Sequence, residues 1–96
     1  MKKISIKHDF KTDYITREAG ERLRFFILES YKKNELIEID FSDIIVASTS
    51  FFDEGIAKLQ KEGWDFKKLN KFLKLKSINP LDKEVMISVC KLRGME

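Results

Sequence analysis

The chain has 96 residues, of which 43% are hydrophobic and 36% are charged, and its formal net charge is +3. This length suits one domain around one hydrophobic core, so we assign residues 1–96 to a single domain. No apolar run approaches the roughly 20 residues that cross a bilayer, and the basic amino terminus has no apolar secretory segment. The sequence therefore predicts a cytoplasmic protein that does not bind membranes.

The chain offers few side chains for catalysis or metal binding. Cys90 is its only cysteine and His8 its only histidine, and it contains four glycines. A single cysteine excludes an internal disulfide and a cysteine-rich metal site, and His8 has no second metal ligand at a suitable spacing. The usual hydrolase signatures, in which a histidine base activates a serine or cysteine nucleophile, are also absent. No glycine-rich phosphate loop is present. The sequence therefore predicts a protein that is not an enzyme and binds no metal or cofactor, with Cys90 in the core.

The first half of the chain predicts a strand, a helix and a second strand. Alternating isoleucines mark a strand around residues 4–6, and the mixed segment 7–14 reads as a loop or hairpin. Thr16 is the predicted N-cap of a helix whose apolar residues recur at helical spacing and which ends near residues 32–34. A strand follows over residues 36–41, where isoleucines alternate with acids.

The second half predicts a helix, an edge strand and a final helix. The helix spans residues 50–62, with Ser50 as its N-cap and Gly63 as its C-cap. A half-exposed strand covers residues 72–78, and Asn79–Pro80 is a helix start. The inward stripe of the last helix is predicted to be Leu81, Val85, Ser88, Val89 and Leu92. Alternating strands and helices favour an α/β fold with a small, mainly parallel sheet and about three helices.

Five lysines fall within ten residues that contain no acid, namely Lys67, Lys68, Lys71, Lys74 and Lys76. Lysines on an outer strand discourage pairing between sheets, so one interpretation is a solvated edge. The alternative is that this basic stretch binds nucleic acid or an acidic partner. Because no aromatic residues interleave with the lysines as in a base-stacking surface, the sequence favours the solvated edge.

Hydroxyl side chains cluster where the second strand leads into the second helix. Ser48, Thr49 and Ser50 stand there, and Asp53 and Glu54 follow in the predicted first turn. A hydroxyl at this position caps the helix, and acids in the first turn suit the helix dipole. A phosphate at a helix start would also meet free backbone amides. The junction is therefore the predicted functional site, and a purely structural cap is the alternative.

Short motifs occur in order along nearly the whole chain: His8-Asp9-Phe10, Thr16-Arg17-Glu18-Ala19-Gly20 with Leu23-Arg24, Ile39-Asp40-Phe41, Ser50-Phe51-Phe52-Asp53-Glu54 and Asn79-Pro80. Together they resemble the sulfate transporter and anti-sigma factor antagonist (STAS) domain, and more closely a STAS-like branch of uncharacterised bacterial domains. The resemblance implies a STAS-like α/β fold. It also implies a regulatory module that acts in signalling through protein–protein interaction.

In the anti-sigma factor antagonists a serine is phosphorylated by a partner kinase of the histidine-kinase-like ATPase fold. Position by position, that serine corresponds to Ser50, so the resemblance implies Ser50 as the phospho-acceptor and such an ATPase, or a serine kinase, as the partner. The chain departs from those proteins in having Ser48 in place of an aspartate and Phe51 in place of a glycine. The implied partner-binding residues are Ser48, Thr49, Phe51, Asp53 and Glu54. For Ser50 itself, a structural cap and an unphosphorylated docking surface are the alternatives to a phosphorylated switch.

Overall fold

Three short parallel strands form one sheet in the order β1-β2-β3. The computed structural model describes residues 1–96 and places β1 at Lys2–Ser5, β2 at Ile37–Asp40 and β3 at Leu73–Lys76. Ile39 in the central strand lies opposite Ile4 on one side and Leu75 on the other. The predicted α/β class with a parallel sheet is confirmed, and β3 is an edge strand as expected.

Five α-helices and one 3-10 helix connect and follow the strands. They are α1 (Ile6–Phe10), α2 (Arg17–Lys32), α3 (Thr49–Gly55), the 3-10 helix (Ala57–Glu62), α4 (Phe66–Phe72) and α5 (Pro80–Leu92). The N-caps predicted at Thr16 and Asn79 are confirmed, because each side chain accepts a hydrogen bond from a backbone amide of the first turn. Gly63 ends the 3-10 helix with a φ of 84°, the left-handed conformation that glycine adopts without strain.

Two short helices were not predicted. Residues 7–14 were expected to form a loop or hairpin, but α1 begins at Ile6 because the Ser5 hydroxyl accepts from the His8 amide and the Asp9 carboxylate accepts from the Ser5 amide. This reciprocal arrangement satisfies two backbone donors at the helix start. In the same way, the Asp65 carboxylate caps α4 by accepting from the Lys68 amide.

The two faces of the sheet differ in chemistry. Ile4, Ile37, Ile39 and Leu73 are buried on one face, where the helices pack to form the core. The other face is polar, with rows formed by Lys3, Glu38 and Lys74 and by Ser5, Asp40 and Lys76. The domain therefore has two layers, with helices on one face of the sheet.

Helix α5 buries a face that only partly matches the predicted one. Val89 and Cys90 are buried as predicted, and Met86 is buried with them. Leu81, Ser88 and Leu92 were expected to point inward but are exposed, Leu81 to 67% and Leu92 to 86%. The cause is Asp82, whose buried carboxylate accepts from the amides of Val46 and Ala47 at 2.7 and 2.8 Å. Since these amides gain a hydrogen-bond acceptor, Asp82 takes an inward position and the two leucines at the ends of α5 remain at the surface.

Candidate functional site

The first turn of α3 is fixed by Ser48, not by Ser50 as predicted. Ser48 has an extended backbone, and its hydroxyl oxygen accepts from the Phe51 amide at 3.1 Å. The same hydroxyl donates to the carbonyl of Ile15, which ties the start of α3 to the loop before α2. Ser48 is therefore both the N-cap and a link between loops, and Ser50 lies at the second helical position.

The other two hydroxyls of the cluster are not engaged. Thr49 is exposed and Ser50 is half-buried. The side-chain hydrogen bonds of this turn both involve the Ser48 hydroxyl, once as acceptor and once as donor, and neither the Thr49 nor the Ser50 side chain forms one within the chain. Modifying either hydroxyl would therefore break no existing side-chain hydrogen bond.

Two of the predicted partner-binding residues lie inside the fold. Phe51 is fully buried and packs edge-on against Phe10 and Phe52, with ring centroids 5.9 and 5.6 Å apart. Glu54 is only 6% exposed. Because α3 begins one residue before Ser50, its core-facing side includes both positions. Their assignment to a partner surface is therefore corrected, and Ser48, Thr49 and Asp53 are the members of that set that reach solvent.

Asp53 is held by two arginines from distant parts of the chain. Arg93, just after α5, donates to its carboxylate from Nε at 2.8 Å and from Nη2 at 2.7 Å. Arg17, the first residue of α2, donates from Nη1 at 3.0 Å. The hydrogen bond from Arg93, opposed by burial and supported by Arg17, lowers the pKa of Asp53 to about 2. Asp53 is thus ionised at neutral pH.

Glu54 is the more buried acid and has three cationic partners. Its carboxylate accepts from Arg24 Nη1 at 2.9 Å, from Lys58 Nζ at 2.5 Å and from Arg17 Nη1 at 3.3 Å. Burial acts to raise the pKa of Glu54, but the hydrogen bonds from Lys58 and Arg24 outweigh it and lower the pKa to about 2. The acids were interpreted as first-turn residues that suit the helix dipole. That interpretation is wrong, since the first turn of α3 contains no acid.

Close packing of α2 on α3 brings these charges together. A Cβ atom on Gly20 would lie 2.7 Å from the Cβ of Glu54 and 2.7 Å from the carbonyl oxygen of Phe51, so only glycine allows this approach. Arg17 and Arg24 flank Gly20 on α2 and both reach Glu54. Sequence reasoning missed this network, although the arginines and acids of the STAS-like motifs were visible as opposite charges.

A surface groove of about 240 Å³ lies beside the start of α3. It is lined by Arg17, Thr49, Asp53, Val89, Leu92 and Arg93. The groove brings together an exposed hydroxyl, two arginines that share one carboxylate, and an exposed leucine. Arg93 and Leu92 were not predicted as site residues, and no local sequence signal pointed to them.

The five lysines of the basic stretch lie on two different elements, α4 and β3, and do not share one environment. The Lys68 ammonium lies 4.2 Å from the ring centroid of Tyr31 and 5.1 Å from that of Trp64, as in cation–π contacts. Lys67 and Lys71 are exposed on α4. Lys68 is thus committed to the aromatic cluster that closes this end of the core.

The remaining lysines of the stretch, Lys74 and Lys76, lie on the polar face of the sheet beside acids. Lys74 is in register with Glu38, and Lys76 is in register with Asp40. Hydrogen bonds from Ser42 lower the pKa of Asp40, and the charge of Lys76 lowers it further. The positive charge of these two lysines is therefore partly balanced by the central strand.

The parallel sheet, the helices on one face and the hydroxyl-bearing turn after β2 define an α/β domain of STAS type. A family model described as STAS-like domain of unknown function (DUF4325) matches residues 19–83, and the chain belongs to this family. The suspected resemblance is thus confirmed. No curated protein and no solved structure matches the chain.

The structure shows neither a membrane-spanning helix nor a cluster of metal-binding side chains. No helix has the length and apolar character needed to span a membrane. No group of three or more His, Cys, Asp or Glu side chains is placed to hold a metal ion.

Proposed function

We propose that this STAS-type domain is a non-catalytic regulatory module that binds a protein partner through the surface around the start of α3, and that phosphorylation of Ser50 switches this binding. The partner is a histidine-kinase-like ATPase or a serine kinase, as in the anti-sigma factor antagonists that the motifs resemble. The observation that carries the proposal is the state of the three hydroxyls: Ser48 is committed to structure, whereas Ser50 is half-buried without a hydrogen bond of its own.

The expected effect of the phosphate is local. A phosphoserine adds a charge of about −1.5 to −2 and three acceptor oxygens. Asp53 lies three residues after Ser50 on the same short helix, so the added charge would stand near an ionised carboxylate. The added charge and acceptor oxygens would change the surface that the partner contacts. Because the Ser50 side chain has no hydrogen bond to lose, we expect the modification to disrupt binding rather than folding.

The experiment is intact-mass measurement and peptide mapping of the protein isolated from its own cells, followed by a binding comparison. Ser50→Asp should lose most of the affinity for the partner that Ser50→Ala retains. Thr49→Ala is the matched control, since its hydroxyl is equally unengaged and adjacent in sequence. A phosphate mapped to another residue, or equal binding by Ser50→Asp and Ser50→Ala, would refute the switch.

The structure also determines which variants are poor tests. Ser48→Ala removes a cap and a link between loops, and Phe51→Asp would place a charge at a fully buried position. Loss of partner binding by either variant would report damage to the fold. The Ser50 and Thr49 variants avoid this ambiguity.

A further inference from the structure

The two arginines in the groove retain donors that the fold does not use. A guanidinium carries five N–H donors. Arg17 donates to Asp53 and Glu54 from Nη1 alone, which leaves Nε and Nη2. Arg93 donates to Asp53 from Nε and Nη2, which leaves Nη1. The Arg17 side chain is 53% exposed and that of Arg93 is 29% exposed, and both line the groove.

The local charge favours an anion. The charged residues that line the groove are two arginines, Arg17 and Arg93, and one acid, Asp53, with which both arginines form ion pairs. Two minus one leaves an excess of one positive charge in the groove lining. The same groove has an apolar side formed by Leu92, which is 86% exposed, and Val89 beneath it.

We infer that this groove docks a partner segment in which a carboxylate side chain stands next to an apolar side chain. The carboxylate would accept from the unused guanidinium donors of Arg17 and Arg93, whose planar geometry suits a carboxylate. The apolar neighbour would cover Leu92. This inference rests on the proposed function as a protein-interaction module, and it names the chemistry that the partner presents.

The test is a titration of ¹⁵N-labelled protein, followed by NMR, with N-acetyl-leucyl-aspartyl amide as the probe. We expect saturable shifts of the Thr49, Leu92 and Arg93 amides, with a dissociation constant on the order of 1 mM for so small a ligand. N-acetyl-leucyl-asparaginyl amide, which lacks the charge, should bind at least several-fold more weakly. Inorganic phosphate is the third probe, and it should also bind more weakly because it makes no contact with Leu92.

Two exposed leucines at opposite ends of α5 supply matched variants. Leu92→Ser should weaken binding of the leucyl-aspartyl probe several-fold, whereas Leu81→Ser, far along the same helix, should leave it unchanged. Arg17→Gln should also weaken binding, and Asp53 keeps its two hydrogen bonds from Arg93 in that variant. Absence of shifts in the groove, equal binding of the asparaginyl probe or of phosphate, or no effect of Leu92→Ser would each overturn the inference.

These outcomes are separable from those of the proposed function. If the probe saturates the groove but Ser50→Asp leaves partner binding unchanged, the docking chemistry inferred for the groove is supported and the phosphorylation switch is refuted. If the probe does not bind but Ser50→Asp releases the partner, the switch stands and the docking chemistry inferred for the groove is wrong.

Discussion

The ion pairs of Glu54 predict how the stability of the domain depends on pH. Burial acts to raise the pKa of this acid, but hydrogen bonds from Lys58 and Arg24 lower it from 4.5 to about 2. A difference of this size between the folded and unfolded chain corresponds to on the order of 3 kcal/mol of folding free energy. Because the pKa is lower in the folded state, this contribution is fully present above about pH 5 and is lost as the pH falls toward 2.

Glu54→Gln tests this reasoning because it keeps the shape of the side chain and removes its charge. At pH 7 the variant should lose about 3 kcal/mol of unfolding free energy, because Arg24 and Lys58 are left without their anion. Near pH 2.5 the difference from the parent should shrink to below about 1 kcal/mol, since the parent has by then lost most of this contribution. Urea unfolding followed by the fluorescence of Trp64, the only tryptophan, measures both values.

An exposed ion pair provides the control for the same experiment. Glu29 lies 4.0 Å from Lys32 across one turn of α2, and both side chains are exposed. Glu29→Gln should change the unfolding free energy by no more than about 0.5 kcal/mol at either pH. The reasoning is refuted if Glu54→Gln costs the same at both pH values, or if Glu29→Gln costs as much as Glu54→Gln.

Further substitutions probe the packing around α3. Gly20→Ala should destabilise the domain by about 1 to 3 kcal/mol through overpacking against α3. Gly63→Ala, which has open space, should cost only the strain of its positive φ, about 1 kcal/mol. Thermal unfolding compares the two, and a Gly20→Ala variant as stable as the parent protein would contradict the close approach. Ser48→Ala should lose about 1 to 2 kcal/mol with its cap, while Thr49→Ala should lose little, as chemical denaturation will show. Burial raises the pKa of Cys90 to about 11, so the native thiol should react with iodoacetamide at pH 8 far more slowly than the unfolded one, and equal rates would place Cys90 at the surface.

Elements with strong local signals were predictable from the sequence. Thr16 and Asn79 cap their helices and Gly63 ends one, because each of these signals acts within a few residues. Alternating isoleucines located β2 for the same reason. The α/β class followed from the order of these elements.

The start of α1 and the inward face of α5 were not predicted, because they depend on a helix cap and on long-range contacts that the hydrophobic pattern does not show. Ile4 and Ile6 alternate like a strand, yet the Ser5 cap starts α1 at Ile6. The inward face of α5 is set by Asp82 through two amides 35 and 36 residues earlier in the chain. Because a buried carboxylate takes an inward position that the helical pattern assigns to an apolar residue, the inward face of α5 cannot be read from its apolar residues alone. The spacing of residues within a helix gives no information about backbone amides elsewhere in the chain.

At the candidate site, too, long-range contacts determine the role of residues that the sequence alone could not assign. Part of the STAS-like motifs therefore has a structural role. The resemblance implied that Asp53 and Glu54 bind a partner, but Glu54 is buried and forms ion pairs with Arg24 and Lys58. The ion pair between Arg24 and Glu54 holds α3 against α2, and Gly20 permits the close contact of the two helices. A chemical change at the exposed side of α3 is therefore made on a helix fixed from behind by ion pairs. Under the proposed function, we therefore expect added charge there to alter partner affinity without moving α3, because contacts on the opposite face already fix the position of this helix.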